Sequence, residues 1–274
     1  MKKLILIGLF LSAIFLFNTS AISQSNLISA KETAKIMNDD NVVLVSTRKA
    51  SDYTKVHIKD AVNVDVLSLC ETGDIKGILK SPEEISKILG EKGINKDKKI
   101  IIYDNGKNIN AGRLYWILEY LGFKDVKILD GHMKAWRAAR KPVTKYPTKI
   151  AAVTCTPSLN KDIIVDYDYV KANLKNPKVI IVDVQNQKEF DEGHIKNAKH
   201  FEHKNIIVEE SGTLKSPEEI SKLLTEAGIT QDKEIILYCT TSARAGIVFM
   251  AMVSILDYPN VKIYEGAYNE WKTK

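Results

Sequence analysis

The residue of this chain best placed to do chemistry is a cysteine that ends an apolar segment. Cys239 follows the apolar residues 235–238 and opens the polar loop Cys-Thr-Thr-Ser-Ala-Arg, which ends at Arg244. Backbone N–H groups of such a loop can converge on an anion, and a following helix N-terminus and an arginine favour thiolate over thiol. The loop is therefore typical of a nucleophilic cysteine. A buried core cysteine is the usual alternative, but the polar neighbours and the arginine argue against it.

The sequence around this loop occurs twice in the chain. Residues 80–106 and 215–241 both contain Lys-Ser-Pro-Glu-Glu-Ile-Ser-Lys, and each continues into an apolar segment that ends in tyrosine. A second, upstream pair of segments matches in the same order. This repetition predicts two copies of one domain. At the position of Cys239 the first copy has Asp104, so the second copy is the one with the nucleophile.

Each copy has the pattern of alternating strands and helices. The fully apolar residues 42–45 and 179–182 are typical of strands covered on both faces. Ser81 and Ser216 each precede proline and are followed three positions later by glutamate, which marks a capped helix start. Alternation of this kind predicts an α/β fold, with a parallel sheet and helices on both faces. Ligands of such folds bind at the carboxyl ends of strands, where Cys239 lies.

These elements divide the chain into domains. The first is expected over residues 28–145 and the second over residues 161–274. A linker is expected over residues 146–160, which contain Pro147 and Pro157.

The first residues have the order of a secretory signal peptide. Lys2 and Lys3 precede an apolar stretch over residues 4–17, and small residues follow it. Because the stretch is short for a membrane span, residues 1–23 are expected to be a cleaved signal peptide. The protein would then be exported, to the periplasm or outside the cell, with no stable membrane anchor after cleavage. An uncleaved anchor is the alternative.

The composition argues against several classes of function. The 274 residues carry 40 Lys and Arg against 34 Asp and Glu, and the net charge of +6 is spread along the chain, so a nucleic-acid partner is not expected. The five histidines are scattered and no Cys-x-x-Cys pair occurs, so no metal site is expected. Three cysteines are too few for a disulfide framework. Cys239 is expected to be free, and Cys70 and Cys155 to be unpaired.

Several motifs together resemble the two-domain rhodaneses, the thiosulfate and 3-mercaptopyruvate sulfurtransferase family. They are Tyr103-Asp104-Asn105-Gly106, Arg113 with Trp116, Asp183, Phe190, Gly193-His194-Ile195 and residues 261–271. The resemblance covers essentially the whole chain after the N-terminal segment. It implies two tandem rhodanese-like domains, the first inactive with Asp104 in place of cysteine and the second catalytic.

The resemblance also implies a covalent transfer of sulfur in two steps. Cys239 would take sulfur from a donor such as thiosulfate or 3-mercaptopyruvate, hold it as a persulfide, and pass it to cyanide or a thiol, with ping-pong kinetics. Arg244 would stabilise the persulfide or the anionic donor. The backbone N–H groups surrounding the persulfide would belong to Thr240, Thr241, Ser242, Ala243 and Arg244 itself. No metal or organic cofactor is required, and a thioredoxin-like or sulfur-oxidation protein is an equally open acceptor.

Two other functions remain open. A sulfur-carrier or binding module would receive its persulfide from a protein partner without turning over small donors. A phosphatase or arsenate reductase would handle a tetrahedral oxyanion, and related enzymes of that kind have Cys-x5-Arg. Here four residues separate Cys239 from Arg244, which fits a single sulfur atom better.

Three positions depart from the family pattern. Gln185 stands where many relatives have arginine, and Ser242 occupies a position that is often glycine. Glu189 lies where a thiosulfate enzyme would benefit from a cation. The donor is therefore left open by the sequence.

Two further polar residues have a structural as well as a functional interpretation. Asp183 would either orient the loop or Arg244, or cap the turn after its own strand. His194 recurs as His57 in the copy without a nucleophile, so a structural role shared by both copies is expected.

Overall fold

The computed structural model describes residues 26–274, and the predicted signal peptide lies outside this range. The strands are β1 (Leu27–Ile28), β2 (Val42–Ser46), β3 (His57–Ile58), β4 (Val62–Asn63), β5 (Lys99–Tyr103), β6 (Val126–Leu129), β7 (Val143–Thr144), β8 (Ile164–Val165), β9 (Val179–Asp183), β10 (Lys199–His200), β11 (Glu234–Tyr238) and β12 (Val261–Tyr264). The α-helices are α1 (Ala30–Ile36), α2 (Ala50–Lys55), α3 (Pro82–Gly90), α4 (Ile109–Tyr120), α5 (His132–Ala138), α6 (Tyr167–Asn173), α7 (Gln187–Glu192), α8 (Pro217–Glu226), α9 (Ala245–Met250) and α10 (Ala267–Trp271). Within residues 26–274, every helix falls short of the length and apolarity that a bilayer crossing needs.

The strands form two five-stranded parallel sheets with one topology. The first has the order β1-β6-β5-β2-β4, and the second has the equivalent order β8-β12-β11-β9-β10. Helices cover both faces, as the alternation of elements predicts. The short strands β3 and β7 pair separately and antiparallel.

Successive residues of the central strands point into different cores, because side chains alternate between the faces of a sheet. In β5, Ile100 and Ile102 face a core shared by both domains, whereas Ile101 faces a core belonging to the first domain. In β11, Ile235 faces the shared core and Ile236 faces a core of the second domain. The fully apolar sequences of these strands follow from this burial on both faces.

Local sequence signals set the helix starts. The side chains of Ser81 and Ser216 accept hydrogen bonds from the backbone N–H groups of Glu84 and Glu219, and each glutamate bonds back, so both predicted capping boxes are confirmed. Between β7 and a 3-10 turn at Lys161–Ile163 the chain has no helix or strand. This connecting segment packs against the first domain.

The two domains meet through α4 and α9. At Gly112 and Gly246 the two backbones are so close that a Cβ atom on Gly246 would lie 2.2 Å from the carbonyl oxygen of Gly112. After Met250 the helix widens into a π-helical turn at Ala251–Ile255. This contact brings the carboxyl ends of both sheets toward one cleft between the domains.

Candidate active site

The loop between β11 and α9 carries the candidate nucleophile. Cys239 follows the last residue of β11 and is 1% exposed. Two backbone hydrogen bonds from the segment after β12 hold the loop in place. Tyr268 N–H donates to the Cys239 carbonyl (2.9 Å), and Asn269 N–H donates to the Thr240 carbonyl (3.1 Å). Ser242 has a φ of +57°, a left-handed conformation that costs a non-glycine residue energy. Its hydroxyl donates to the Tyr264 carbonyl, which helps to hold that conformation.

Arg244, at the end of the loop, forms a two-pronged ion pair with Glu189. Nη1 donates to Oε2 of Glu189, and Nη2 donates to Oε1 at 2.9 Å. Nη2 also donates to the hydroxyl of Thr240 (2.8 Å). Burial disfavours the charged form of Arg244, but the bonds to Glu189 and the neighbouring Cys239 outweigh it and raise the pKa of Arg244 above its ordinary value. The same bonds from Arg244 lower the pKa of Glu189.

Glu189 reaches this position because it also starts its own helix. It is the third residue of α7, and its carboxylate accepts the backbone N–H of Asn186 (3.2 Å) in a capping box. One carboxylate thus fixes the start of α7 and the end of the cysteine loop. The sequence marked Glu189 as a departure, and the capping pattern Asn-x-x-Glu was the signal that could have placed it.

Asp183 connects to the loop through Gln185. Its two carboxylate oxygens accept the backbone N–H (2.8 Å) and the side-chain amide (2.9 Å) of Gln185. The amide oxygen of Gln185 in turn accepts the Thr240 hydroxyl (2.7 Å). Asp183 therefore caps the turn after β9, and its bonds go to Gln185 rather than directly to Arg244. Burial raises the pKa of Asp183.

His57 and His194 share one local structure. In each, Nδ1 bonds to the carbonyl four residues earlier, of Tyr53 (2.8 Å) or Phe190 (2.9 Å), and the ring stacks on that same aromatic residue. A bond common to both domains agrees with a structural role.

In the equivalent loop of the first domain, the side chain of Asp104 is hydrogen-bonded to backbone N–H groups of the residues that follow it. One carboxylate oxygen of Asp104 accepts the backbone N–H of Gly106 (2.7 Å), and the other accepts that of Ala111 (3.4 Å). The backbone N–H of Asp104 donates to Nδ1 of His132 (3.0 Å). Asp104 thus occupies with its own oxygens the N–H groups that an incoming anion would need.

A cleft of about 550 Å³ lies between the domains and reaches Arg244. Its lining includes Lys107 from the first domain and His203 and Lys204 from the second. His203 is buried, and burial together with the charge of Arg244 lowers its pKa to about 4, so its imidazole is neutral at pH 7. Cations and the carboxylates of Glu202 and Glu209 both line the cleft.

Sequence reasoning assigned no residue of the first domain to the site, and the structure adds one. Arg113 projects from α4 and donates to the carbonyl oxygen of Thr241 in the cysteine loop. It also donates to the carbonyl of Gly77 (2.6 Å). The available signal was a single arginine within a helix that is otherwise almost wholly apolar and buried.

Residues 26–274 contain no group of three or more His, Cys, Asp or Glu side chains arranged to hold a metal. The three cysteines are free thiols.

The fold, the duplicated sheets and the cysteine loop define a class of protein, and comparison with known families agrees. The chain belongs to the rhodanese family: the rhodanese-like domain matches it twice, at residues 29–139 and 166–274. The resemblance drawn from the sequence is thereby confirmed, as is the fold of two tandem rhodanese-like domains.

Particular relatives narrow the class. The chain is 28% identical to the 3-mercaptopyruvate sulfurtransferase of Escherichia coli K12 over 266 residues, covering 89% of this chain and 94% of that one. It is 29% identical to the sulfur carrier protein TtuD of Thermus thermophilus (84% and 93% covered) and to the thiosulfate sulfurtransferase of Azotobacter vinelandii (84% and 88% covered). The crystal structure of SseA, a 3-mercaptopyruvate sulfurtransferase from Escherichia coli, superposes with a TM-score of 0.83 at 26% identity, covering 89% of this chain and 99% of that one. The predicted enzyme class, a sulfurtransferase, is confirmed.

Proposed function

We propose that this protein is an exported sulfurtransferase that carries sulfur as a persulfide on Cys239. The observation that carries the proposal is the loop itself. It begins with the buried thiol of Cys239 and ends at Arg244, which is ion-paired with Glu189. The relatives named as sulfurtransferases support it.

The transfer balances with Cys239, a sulfur donor and an acceptor, and no other oxidant or reductant is needed. The Cys239 thiolate attacks the outer sulfur of thiosulfate, the sulfur–sulfur bond of the donor breaks, and sulfite leaves with the bonding electron pair. The acceptor, cyanide or a thiolate, then attacks the outer sulfur of the persulfide, and Cys239 leaves as thiolate. With 3-mercaptopyruvate as donor, the thiolate attacks its sulfur, the carbon–sulfur bond breaks, and the carbon keeps the electron pair. That carbon takes up, through water, the proton that the donor thiol loses, and pyruvate leaves.

The loop residues have distinct proposed roles in this reaction. The backbone N–H groups of residues 240–244 stabilise the anionic outer sulfur, as donors that need no reorganisation during the reaction. Arg244 contributes its charge from the mouth of the cleft. Asp183 holds the loop indirectly, through Gln185 and the Thr240 hydroxyl.

The cleft, with a volume of about 550 Å³, has room for a small sulfur donor beside Arg244, five positions after Cys239. The proposed acceptor is cyanide, a small thiol or a thiol protein. The mixed charge of the cleft lining and the commitment of Arg244 to Glu189 leave a weaker attraction for a dianion than a free arginine would give. We propose export because residues 1–23 have signal-peptide order. Fractionation of the native cell tests export, and recovery of the protein in the cytoplasm would contradict it. The amino-terminal residue of the recovered protein tests cleavage, and an intact Met1 would favour the uncleaved anchor.

The test of the function is the intact mass of the mature protein after incubation with thiosulfate, 3-mercaptopyruvate or polysulfide. We expect a gain of one sulfur atom, its loss in Cys239→Ser, and its persistence in the control Cys155→Ser, which removes a free thiol in the linker. No gain with any donor would refute the function. Turnover of an aryl phosphate that Cys239→Ser abolishes would favour a phosphatase instead.

A second candidate, a sulfur carrier loaded by a protein partner, is favoured by the similarity to a sulfur carrier protein. Persulfide formation with a cell extract but not with any small donor would support the carrier.

A further inference from the structure

Arg113 is a buried cation whose hydrogen bonds go to backbone carbonyls and a thiol. It is 2% exposed, and its guanidinium donates to the carbonyls of Thr241 and Gly77 and to Sγ of Cys70 (3.2 Å). Burying a charge is costly unless the charge is well bonded. Glu265 interacts with it electrostatically, and Cζ lies 5.7 Å from the centre of the Trp116 ring, but its hydrogen bonds go to these three groups. The position of this buried charge against the cysteine loop of the other domain therefore suggests that it has a role in that loop.

The bond to Thr241 fixes the orientation of one peptide group. Because the peptide is planar and trans, the Thr241 carbonyl and the Ser242 N–H point in opposite directions. With the carbonyl held toward Arg113, the Ser242 N–H is directed to the opposite side of the peptide. In a loop that binds an anion through its N–H groups, that side is the inside of the loop.

The same peptide has a reason to flip. Ser242 adopts a φ of +57°, and rotation of the 241–242 peptide by half a turn would make that φ negative and so remove the cost of a left-handed conformation at a non-glycine residue. The flip would withdraw one N–H donor and direct a carbonyl oxygen toward the anionic sulfur. The Arg113 bond to Thr241 opposes the flip, together with the Ser242 hydroxyl bond to Tyr264.

We propose that Arg113, supplied by the domain without the nucleophile, is a positioning residue that holds the 241–242 peptide in the orientation required for persulfide binding. The first domain thus completes the loop of the second. This inference rests on the proposed sulfur transfer for its kinetic consequence, but not for its structural one.

The kinetic test compares single-turnover persulfide formation in Arg113→Met, Arg113→Lys, Ser242→Gly and the double variant Arg113→Met with Ser242→Gly. We expect Arg113→Met to slow loading by about 100-fold, the effect of losing one oxyanion-hole donor. Arg113→Lys, which can still donate to a carbonyl, retains part of the rate. Glycine tolerates positive φ without strain, so Ser242→Gly removes the cause of the flip. We expect it to restore the rate of Arg113→Met by tenfold or more, although it also removes the hydroxyl bond to Tyr264.

A merely structural role for Arg113 predicts a different pattern. The effects of the two substitutions would then multiply, because a glycine in the loop cannot repair packing in α4. The matched control is Arg48→Met, which removes another first-domain arginine that donates to a backbone carbonyl, that of Val56 (2.6 Å). It should leave the loading rate unchanged. If Arg113→Met does not fold, Arg113→Lys with and without Ser242→Gly makes the same comparison.

A crystal structure of Arg113→Met, or of Arg113→Lys, separates this inference from the proposed function. We expect the 241–242 peptide to be flipped in Arg113→Met, with Ser242 at negative φ. An unchanged peptide would overturn the inference whether or not the protein loads sulfur. A flipped peptide in Arg113→Met, with a wild-type protein that takes no sulfur from any donor, would leave the positioning role intact and refute the sulfurtransferase.

Discussion

Arg244, the last residue of the cysteine loop, is already paired with a carboxylate in the folded protein. Glu189 accepts one N–H from each of its terminal nitrogens, and the Thr240 hydroxyl accepts a second N–H of Nη2. A two-pronged pair of this kind gives geometric rigidity as well as energy. Arg244 is therefore held in a fixed orientation toward an incoming sulfur donor, and its positive charge is partly neutralised. Glu189 is responsible for both effects.

Replacing the carboxylate should strengthen the binding of an anionic donor. In Glu189→Gln, the charge of Arg244 is no longer neutralised, so we expect the KM for thiosulfate to fall by roughly threefold, the size expected for a partly exposed charge. Steady-state kinetics with thiosulfate and cyanide measure it. The control is Glu192→Gln, which removes an exposed charge from the same helix and should leave KM unchanged. A higher KM in Glu189→Gln would mean that orientation of Arg244 matters more than its charge.

His203 should make the protein less stable in mild acid. Its pKa is lowered to about 4 in the folded state by burial and by Arg244, whereas an unfolded histidine titrates near 6.5. Between these values the unfolded chain binds the proton and the folded one does not. Stability is therefore lost as the pH falls through this window, by up to about 3 kcal/mol. Urea unfolding at pH 7 and pH 4.5 measures the loss of unfolding free energy between the two pH values. We expect this loss to be smaller in His203→Gln than in the wild type. In the exposed control His194→Gln it should equal that of the wild type.

At the scale of elements, the packing of α4 on α9 depends on two glycines. A Cβ on Gly246 would meet the backbone of Gly112, which cannot move away without separating the helices, and the ring of the fully buried Trp116. We expect Gly246→Ala to lower the free energy of unfolding by about 1–3 kcal/mol. Gly73→Ala is the matched control, because nothing lies within 4 Å of the Cβ it would add. Equal urea midpoints for the two variants would show that the interface adapts.

The elements themselves were largely predictable because their signals are local. The capped starts of α3 and α8 and the apolar strands β2 and β9 follow from a few adjacent residues each. The repeat added the topology, since one domain written twice must fold twice in the same way. Cys239 at a strand end followed from the same reasoning.

The contacts that shape the site could not be predicted in this way. Glu189 and Arg244 are 55 positions apart, and Arg113 and Thr241 are 128 positions apart in different domains. The first pair depends on how the second domain folds, and the second pair depends on how the two domains dock, and no periodicity in the sequence records either. The charge of Glu189, which from the sequence was a departure from the family pattern, is in the structure the partner of Arg244.

At the scale of the molecule, the two domains are joined by one apolar core. Trp116 and Ile117 of α4 belong to the same buried cluster as Phe249 and Met250 of α9, and one face of each sheet packs into it. Separation of the domains would expose these side chains to water. At about 25 cal/mol for each Å² of apolar surface, that exposure costs a large part of the stability of a protein this size.

The mature protein should therefore unfold as a single unit, although it contains two domains. In scanning calorimetry we expect one transition whose calorimetric and van't Hoff enthalpies agree, because loss of one domain removes the partner surface of the other. Thiosulfate loading measured across the same temperatures should disappear with that transition, since Arg113 and the Thr241 carbonyl it holds separate when either domain unfolds. Gly246→Ala, which weakens the contact, should divide the transition or lower it. Two well-separated transitions in the wild type would contradict a shared core, and they would mean that the domain bearing Cys239 is stable without the one that bears Asp104.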